Sequence, residues 1–377
     1  MKTIVLRTAV ITLITCLSII PASRVSAQEI LRIPSFDGVE LIGRLNMPSD
    51  GFAGKIVIDV PGTGPHTYLN RRKIGRSLVF NFHDYFAEEF NRRGIAYFSY
   101  NTRYTQPDTI PPTFDKVNRE KFFTYTPSIK IRDLEEIVKF LREDPRLQSS
   151  RIILLGQSEG AIIAAQLVAN GSVPVDALLL CGTPTEDVYS LIQWQLSGES
   201  SMINMRKFFD TNGDSVIQKQ EYENGDPRAL RRVGGASFAN LDVNRDSVLT
   251  ADDFGMQLQP TLEAITSAIE NDDDEWIWNN FFRVGTAWIK EHRTLAPNSE
   301  RILSLDIPVY LFHGEEDANC PVEGIRRLKE RAGVTGKTNI HVYTFAEHDH
   351  SLEFLAWAIH GAMPEGLQRL FETADSL

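Results

Sequence analysis

Short apolar runs alternate with amphipathic segments along the first half of the chain. The run "KIVIDV" (residues 55–60) ends in a Gly/Pro loop, and "IAYFSY" (95–100) has the same strand character. Between them, "FNFHDYFAEEFNRRG" (80–94) has helical spacing and ends at a glycine. A second amphipathic segment spans residues 127–144, and the pattern of residues 150–171 predicts a strand, a tight turn and a helix. This alternation predicts a mostly parallel sheet that is covered on both faces.

The same pattern continues at both ends of the chain. The segment "EILRIPSFDGVELIGRLNMPS" (29–49) alternates around Asp37-Gly38 and predicts a β-hairpin. Near the C-terminus, "IPVYLFHG" (307–314) and "NIHVYTF" (339–345) predict two strands with a helix between them. These segments extend the predicted sheet.

Residues 185–300 interrupt this alternation. The stretch has two Asp-rich loops and an aromatic run from Trp276 to Trp288 at helical spacing. We expect the aromatic run to pack in a core, the alternative being that it lines a substrate pocket. The sequence therefore predicts an α/β core from residues 28–184 and 301–377, with a helical cap inserted at 185–300.

The first 27 residues have the features of an export signal. A basic start, "MKTIVLR", precedes an apolar stretch and a small-residue cleavage site that ends at Ala27. The apolar stretch is short for a membrane anchor, because it stops at Pro21. We therefore expect a secreted or periplasmic protein without a stable membrane anchor after cleavage.

The net charge excludes another class of partner. The 377-residue chain has a formal charge of −11, and loss of Lys2, Arg7 and Arg24 with the signal lowers it to −14. So acidic a chain has no electrostatic attraction to nucleic acid or anionic lipid. The expected partner is a small molecule, and the sequence leaves the oligomeric state open.

The tight turn at residues 156–160 contains the pattern Gly-x-Ser-x-Gly. An apolar strand leads into it and an Ala-rich helix follows, as in a nucleophile elbow. Glycines permit the unusual backbone angles of this turn, which raises the serine hydroxyl above the sheet. Ser158 is thus a candidate nucleophile, although a strand-to-helix turn without chemistry has the same pattern.

The segment "DTNGDSVIQKQE" (210–221) matches the spacing of an EF-hand calcium loop. Such a loop turns every second side chain toward the ion, and a carboxylate at its twelfth position closes the coordination sphere. The predicted ligands are Asp210, Asn212, Asp214, the backbone carbonyl of Val216, Gln218 and Glu221.

The segment "DVNRDSVLTADD" (242–253) repeats this pattern. Its predicted ligands are Asp242, Asn244, Asp246, the backbone carbonyl of Val248, Thr250 and Asp253. Ser215 and Ser247 replace the usual glycine at the sixth position, which weakens binding, yet extracellular calcium modules need affinities of only about 10⁻⁴–10⁻³ M. We expect calcium to brace the cap as a structural ion. The alternative is turn chemistry without a metal, to which the second loop is the better suited.

Outside the cap, the predicted strands and helices and the Ser158 turn resemble the α/β-hydrolase superfamily, in particular its secreted serine esterases and dienelactone-hydrolase-like members. The resemblance covers about residues 30–184 and 301–377. Besides the serine motif, "PGTGPH" (61–66) resembles the oxyanion loop of the family. Residues 90–104 resemble a helix and strand that end in Asp-x-Arg-Gly, which is replaced here by Asn101-Thr102-Arg103-Tyr104.

The resemblance implies an acid and a histidine that follow Ser158 in the chain. Asp317 matches the position of the acid, with Glu315 and Glu316 as alternatives. His350 matches the histidine, with His348 as the alternative, and His313 is expected to be structural.

The resemblance also implies an oxyanion site built from backbone amides. We expect these donors to be the N–H of Glu159 and one from Gly62–Thr63. The Glu159 carboxylate is predicted to be a solvated charge at a helix start. In this fold Cys181 and Cys320 would follow neighbouring strands, so a disulfide and separate packing both stay open.

The sequence therefore predicts an α/β-hydrolase fold with a helical cap that carries two EF-hand-like loops. The predicted function is hydrolysis of carboxylic esters through a Ser-His-Asp triad and an acyl-enzyme, with calcium bracing the cap. Peptidase or thioesterase activity on the same triad is one alternative. A calcium-dependent binding protein on an inactive hydrolase scaffold is another. The identity and acyl length of the substrate stay open.

Overall fold

A computed structural model of the protein describes residues 27–232 and 234–377. The predicted signal peptide, residues 1–27, lies outside the described residues apart from Ala27, where the first strand begins. Among the described residues, none of the helices is both long and apolar enough to span a membrane.

The strands fall into one large sheet and three short ribbons. The large sheet contains β1 (Ala27–Pro34), β2 (Glu40–Met47), β3 (Lys55–Val60), β6 (Ala96–Tyr100), β9 (Arg151–Gln157), β10 (Ala177–Cys181), β13 (Val309–Gly314) and β14 (Ile340–Phe345). The ribbons are β4 (Arg71–Ile74) with β5 (Leu78–Asn81), β7 (Thr105–Pro107) with β8 (Asp115–Val117), and β11 (Ile217–Gln218) with β12 (Val248–Leu249).

The helices of the α/β core are α1 (Phe82–Arg92), α2 (Arg119–Phe122), α3 (Pro127–Glu143), α4 (Glu159–Asn170), α14 (Val322–Val334), α15 (Phe354–His360) and α16 (Glu365–Ser376). Those of the segment between β10 and β13 are α5 (Val188–Leu196), α6 (Glu199–Phe209), α7 (Lys219–Glu223), α8 (Pro227–Arg232), α9 (Phe238–Leu241), α10 (Ala251–Glu270), α11 (Asp274–Asn280), α12 (Thr286–His292) and α13 (Asn298–Ser304).

The large sheet has the order β1-β2-β6-β3-β9-β10-β13-β14. Strands β6, β3, β9, β10, β13 and β14 run parallel, whereas β2 is antiparallel to both β1 and β6. The predicted hairpin is confirmed, with Ile33 opposite Leu41 and Gly38 in the left-handed conformation that its turn requires.

Both faces of the sheet are buried, which explains why its strands are continuous apolar runs. In β9, Ile152 and Leu154 pack in one core with α3 and α4. Ile153 and Leu155 point to the opposite face and pack in a second core with α1 and α16. The predicted mostly parallel sheet between two layers of helices is confirmed.

The cap, residues 185–300, adds no described strand to the large sheet. It has two apolar cores of its own. One, formed by α5, α10, α11 and α12, includes Ile192 and Trp288 and reaches Ile162 on α4. The other surrounds the Asp-rich loops and includes Phe209, Ile217 and Leu249. The first of these cores thus attaches the cap to the helix that follows Ser158.

Candidate active site

Ser158 lies in the sharp turn between β9 and α4. Its φ of 54° and ψ of −122° are unusual for a residue with a side chain. The flanking glycines are required by contact: a Cβ at Gly156 would lie 2.7 Å from the Ala161 Cα, and one at Gly160 would lie 2.0 Å from the Val60 carbonyl oxygen. The turn therefore has the geometry of a nucleophile elbow, with Ser158 on the wall of a cavity.

Asp317 and His350 form a hydrogen-bonded pair. His350 Nδ1 lies 2.8 Å from Asp317 Oδ2. The other carboxylate oxygen accepts backbone N–H groups of Asn319 (2.8 Å) and Cys320 (2.9 Å). Asp317, in the loop after β13, is thus held by three donors: two backbone N–H groups and His350. Its carboxylate in turn orients the imidazole.

Each member of this pair shifts the pKa of the other. Burial alone would raise the pKa of Asp317, but the charge and hydrogen bond of His350 lower it below its ordinary value. Burial alone would lower the pKa of His350, but the Asp317 carboxylate raises it above 6.5. The pair therefore favours an ionised carboxylate and a more basic imidazole.

His350 and Ser158 both lie beside the C-terminal end of β10. The Ser158 N–H donates a 3.0 Å hydrogen bond to the Cys181 carbonyl oxygen. The next residue, Gly182, packs against His350 so closely that a Cβ there would lie 2.6 Å from Nδ1. Ser158 and His350 line the same cavity. The structure thus brings the three predicted triad residues together.

The alternatives raised by the sequence have other partners. His348 Nδ1 donates to the Ala346 carbonyl oxygen (2.8 Å), and its Nε2 accepts the Gly366 N–H (3.2 Å). Glu315 pairs with Arg326, and Glu316 pairs with Lys207. None of these three side chains is hydrogen-bonded to His350.

His313 is buried beneath the loop that carries Asp317. Its Nε2 lies 3.0 Å from the Cys320 carbonyl oxygen and 3.4 Å from Asp317 Oδ2. Burial lowers the pKa of His313, which favours the neutral ring. These contacts agree with the structural role expected for it.

The predicted oxyanion donors lie on two sides of Ser158. Gly62, in the loop after β3, approaches so closely that a Cβ there would lie 3.3 Å from the Ser158 Cβ. Thr63 lines the same cavity, and Glu159 opens the first turn of α4. The N–H groups of these three residues make no hydrogen bond to any described residue. They are therefore free to donate to a ligand oxygen.

The prediction that the Glu159 carboxylate is solvated was wrong, since the residue is only 2% exposed. Both of its oxygens accept from Lys130 Nζ at 2.8 Å. Oε1 also accepts from Trp288 Nε1 (2.7 Å) and lies 3.1 Å from His292 Nε2. Burial would raise the pKa of Glu159, but Lys130 and His292 lower it well below its ordinary value. The carboxylate is a buried anion that joins α3 and α4 to α12 of the cap.

The cavity beside Ser158 measures about 330 Å³ and lies between the α/β core and the cap. Its cap wall is mostly apolar: besides Gln195, it is formed by Val188, Leu191, Ile192, Phe282 and Trp288. Trp288 is also buried in the cap core, so the aromatic run both packs and lines the cavity. Cys181 and Cys320 line the cavity as separate thiols, and no disulfide joins them.

The two Asp-rich loops lie side by side in the cap. Their apolar eighth positions pair across the β11–β12 ribbon, with Ile217 opposite Leu249. Ser215 (φ 71°) and Ser247 (φ 75°) both adopt the left-handed conformation that usually selects glycine at the sixth position. The loops thus share one backbone conformation.

Carboxylates converge in the first loop. Oxygens of Asp210, Asp214 and Glu221 lie within 4.8 Å of one another. Oxygen ligands at this spacing are the donor set that calcium prefers. The Glu221 oxygens accept the backbone N–H groups of Thr211 (2.9 Å) and Gln218 (3.0 Å), and the Asp253 oxygens of the second loop accept the equivalent groups of Val243 (2.9 Å) and Thr250 (2.9 Å). Among the described residues, however, the carboxylates of the second loop do not converge as those of the first loop do. The first loop therefore fits calcium better than the second.

The helix that enters the first loop contacts the loops of the Asp317–His350 pair. This helix, α6, ends directly before Asp210. Its Ser200 hydroxyl donates to the Ala318 carbonyl oxygen (2.5 Å), and Lys207 forms ion pairs with Glu316 and Glu353. Helix α6 therefore joins the first Asp-rich loop to the loops that hold Asp317 and His350.

Comparisons with solved structures address the fold. A carboxyl esterase from Bacillus coagulans, crystallised with glycerol, has a TM-score of 0.51 at 15% identity over 93% of this chain and 97% of that one. A hypothetical protein from Pseudomonas aeruginosa has a TM-score of 0.50 at 14% identity over 94% and 95% of the two chains. The chain has the α/β-hydrolase fold. No protein-family model matches it, and no curated protein matches its sequence.

This fold accounts for the position of the site. In a hydrolase of this fold the nucleophile elbow follows a central strand, and the acid and histidine follow later strands at the same sheet edge. Here β9, β13 and β14 precede Ser158, Asp317 and His350, respectively. At such low identity the likeness concerns the fold, so the activity has to be argued from the site itself.

Proposed function

We propose that the protein is a serine hydrolase that cleaves carboxylic esters through an acyl-enzyme. The observation that carries the proposal is the 2.8 Å hydrogen bond between His350 and Asp317 beside the Ser158 turn. The components of nucleophilic acyl transfer are an elbow serine and an imidazole that line one cavity, and a buried acid that is hydrogen-bonded to the imidazole.

Acylation would begin with proton transfer. His350 Nε2 takes the Ser158 hydroxyl proton as Oγ forms a bond to the ester carbonyl carbon. The carbonyl π electrons move to oxygen, and the free amides of Glu159 and the Gly62–Thr63 loop stabilise the resulting oxyanion. Collapse of the tetrahedral intermediate breaks the bond to the alcohol oxygen, which receives the proton from His350.

Deacylation repeats these steps with water. His350 accepts a water proton as the water oxygen attacks the acyl carbon, and the proton then passes to Ser158 Oγ as the acid leaves. Asp317 stays ionised and stabilises the imidazolium at both stages. Its two backbone donors support this role, because they hold the carboxylate in place and stabilise its charge.

Hydrolysis of p-nitrophenyl butyrate tests the proposal. The wild-type protein should release p-nitrophenol, and Ser158→Ala should reduce kcat by a factor on the order of 10⁶, or to the background rate. Ser304→Ala is the matched control, because Ser304 lies on α13 and donates only to the Arg301 carbonyl oxygen. Equal rates for wild type and Ser158→Ala would refute the assignment. Parallel anilide and thioester substrates separate peptidase and thioesterase activity.

We also propose that calcium is a structural ion of the cap. The first loop would hold it through Asp210, Asn212, Asp214, Val216, Gln218 and Glu221, and the second through the equivalent positions of residues 242–253. The convergent carboxylates of the first loop support this assignment. A bound cation would neutralise these carboxylates and fix the two loops around the β11–β12 ribbon. It would have no part in the acyl-transfer steps.

A further inference from the structure

The cavity that holds Ser158 and His350 has a second polar wall, formed by Arg72 and Asn70. Arg72 lies on β4 of the hairpin that follows the oxyanion loop. Its guanidinium stacks over the Phe82 ring at 4.1 Å, and its Nε donates to Asn70 Oδ1 at 3.3 Å. The plane of the guanidinium is therefore fixed from one side by an aromatic ring.

Arg72 forms no ion pair in the part of the chain that the structure describes, although the Asp59 carboxyl group lies near enough to influence its pKa. The Arg72 Nη1 and Nη2 atoms, and the Asn70 Nδ2 atom, make no hydrogen bond or ion pair with any of those residues. Burial lowers the pKa of Arg72 to about 10, even though Asp59 opposes this effect. Three donors thus face the cavity without a protein acceptor.

Asp59, which also lines the cavity, acts on Arg72 through its charge but forms no ion pair with it. Asp59 Oδ1 accepts from Gln157 Nε2 at 2.7 Å. Burial raises the pKa of Asp59 to about 7, so the carboxyl group carries only a partial charge near neutral pH. Asp59 is hydrogen-bonded to Gln157, directly before Ser158, and also to Tyr97.

The two fully buried arginines of the described chain are paired with acids, whereas Arg72 is half-buried. Arg44 lies 2.6 Å from Asp84, and Arg103 lies 2.6 Å from Asp133 and from Asp37. Burial of an unpaired charge is costly, and a fixed guanidinium with two free Nη groups matches the geometry of a carboxylate. Arg72 therefore differs from these residues in having its acceptor site open to the cavity.

We propose that Arg72 and Asn70 bind an anionic group of the substrate, so that the preferred substrate is an ester that also bears a carboxylate. This inference rests on the proposed ester hydrolysis and specifies its substrate class. The carboxylate would lie on the Phe82 side of the cavity while the ester carbonyl lies at Ser158. The cavity volume of about 330 Å³ suits a small ester of this kind.

Matched ester pairs test this specificity. One pair is the p-nitrophenyl ester of glutaric acid monoanion and its neutral methyl ester, which places the anion on the acyl part. The other is the butyrate ester of a hydroxybenzoate and that of its methyl ester, which places the anion on the leaving group. The anionic member of at least one pair should have the higher kcat/KM. Arg72→Gln should lower the anionic-to-neutral ratio by roughly 10- to 100-fold.

Arg71→Gln is the matched control. Arg71 lies on the same hairpin but donates to Asn81, outside the cavity lining. This variant removes one charge and should leave the ratio unchanged, while Arg72→Lys should retain part of it. A wild-type ratio near one for both pairs, or an equal ratio in Arg72→Gln, would overturn the inference.

Binding separates this inference from the proposed function. In a Ser158→Ala background, calorimetry should show that monomethyl glutarate binds more tightly than neutral dimethyl glutarate. Adding Arg72→Gln should abolish that difference. This result would support the anion site even if no ester were hydrolysed, whereas equal binding of the two compounds would overturn it. Failure of wild type to hydrolyse any ester counts against the proposed function alone.

Discussion

The Trp288 indole N–H donates a 2.7 Å hydrogen bond to the Glu159 carboxylate, which joins the cap to the residue directly after Ser158. Glu159 also supplies one of the free amides beside Ser158. Its buried carboxylate and this amide belong to one residue at the start of α4. The position of the cap and the geometry of the oxyanion site are therefore coupled through Glu159.

Trp288→Phe tests this coupling. The change keeps most of the aromatic packing but removes one donor from a buried anion, so we expect a loss of about 1–3 kcal/mol in the free energy of unfolding. We also expect a lower kcat. Denaturant unfolding and ester kinetics measure the two effects. Trp276→Phe is the control, because Trp276 packs at the edge of the same core without contacting Glu159. Equal losses in the two variants would contradict the coupling.

Lys130→Met should be more destabilising than Trp288→Phe. Lys130 donates to both Glu159 oxygens, and its loss leaves the buried carboxylate with Trp288 and His292 as its remaining partners. Breaking a buried pair from one side typically costs about 3–5 kcal/mol. The double variant Lys130→Met/Glu159→Gln should recover part of this loss, as measured by denaturant unfolding. No recovery in the double variant would show that the loss does not come from an uncompensated Glu159 charge.

The pH dependence of kcat/KM should report the Asp317–His350 pair. His350 must be neutral to accept the Ser158 proton, so activity falls as the pH drops through its pKa. Because Asp317 raises that pKa above 6.5, the acid limb should lie above this value. Asp317→Asn should move the acid limb to lower pH and reduce kcat by roughly 10³–10⁴-fold.

Glu316→Gln and His348→Asn are the controls for this prediction. Both residues were alternatives in the sequence, and neither contacts His350. Both variants should keep the acid limb of the wild type in a pH–rate profile. An acid limb that moves in Glu316→Gln but stays in Asp317→Asn would assign the acid to Glu316.

Calcium should stabilise the protein through the first loop. Added calcium at about 100 times its Kd should contribute roughly 2.7 kcal/mol, and chelation should remove this contribution. Glu221→Gln should weaken the response of Tm to calcium, because it removes the charge that closes the first loop. Asp226→Asn, a change at an exposed acid of the cap outside both loops, should leave the response intact. A Tm that does not depend on calcium in the wild type would refute the structural ion.

The parts of this molecule that follow from local pattern were predictable. Apolar runs predicted the strands of the sheet, and the strand-to-helix context of Ser158 predicted the nucleophile elbow. Both features depend on residues that are neighbours in the sequence. The positions of Asp317 and His350 followed from the family resemblance. In the structure His350 Nδ1 lies 2.8 Å from Asp317 Oδ2. The hairpin at Asp37-Gly38 followed from alternation and turn chemistry.

The environment of Glu159 was not predictable in this way. Its partners Lys130 and Trp288 are separated from it by 29 and 129 residues. Their meeting depends on how the cap packs onto α3 and α4, and a charge at a helix start gives no sign of it. Arg72 presents the same difficulty, since only the folded cavity shows that its Nη groups lack an acceptor.

Mass spectrometry after treatment with a fluorophosphonate tests the central claim most directly. The reagent phosphonylates a serine that is activated by a neighbouring base, with loss of fluoride. We predict one adduct on the peptide that contains Ser158 in the wild type, a strong decrease in His350→Asn and no adduct in Ser158→Ala. Absence of an adduct at Ser158 in the folded wild-type protein, or equal labelling of Ser158→Ala, would contradict the proposed serine hydrolase.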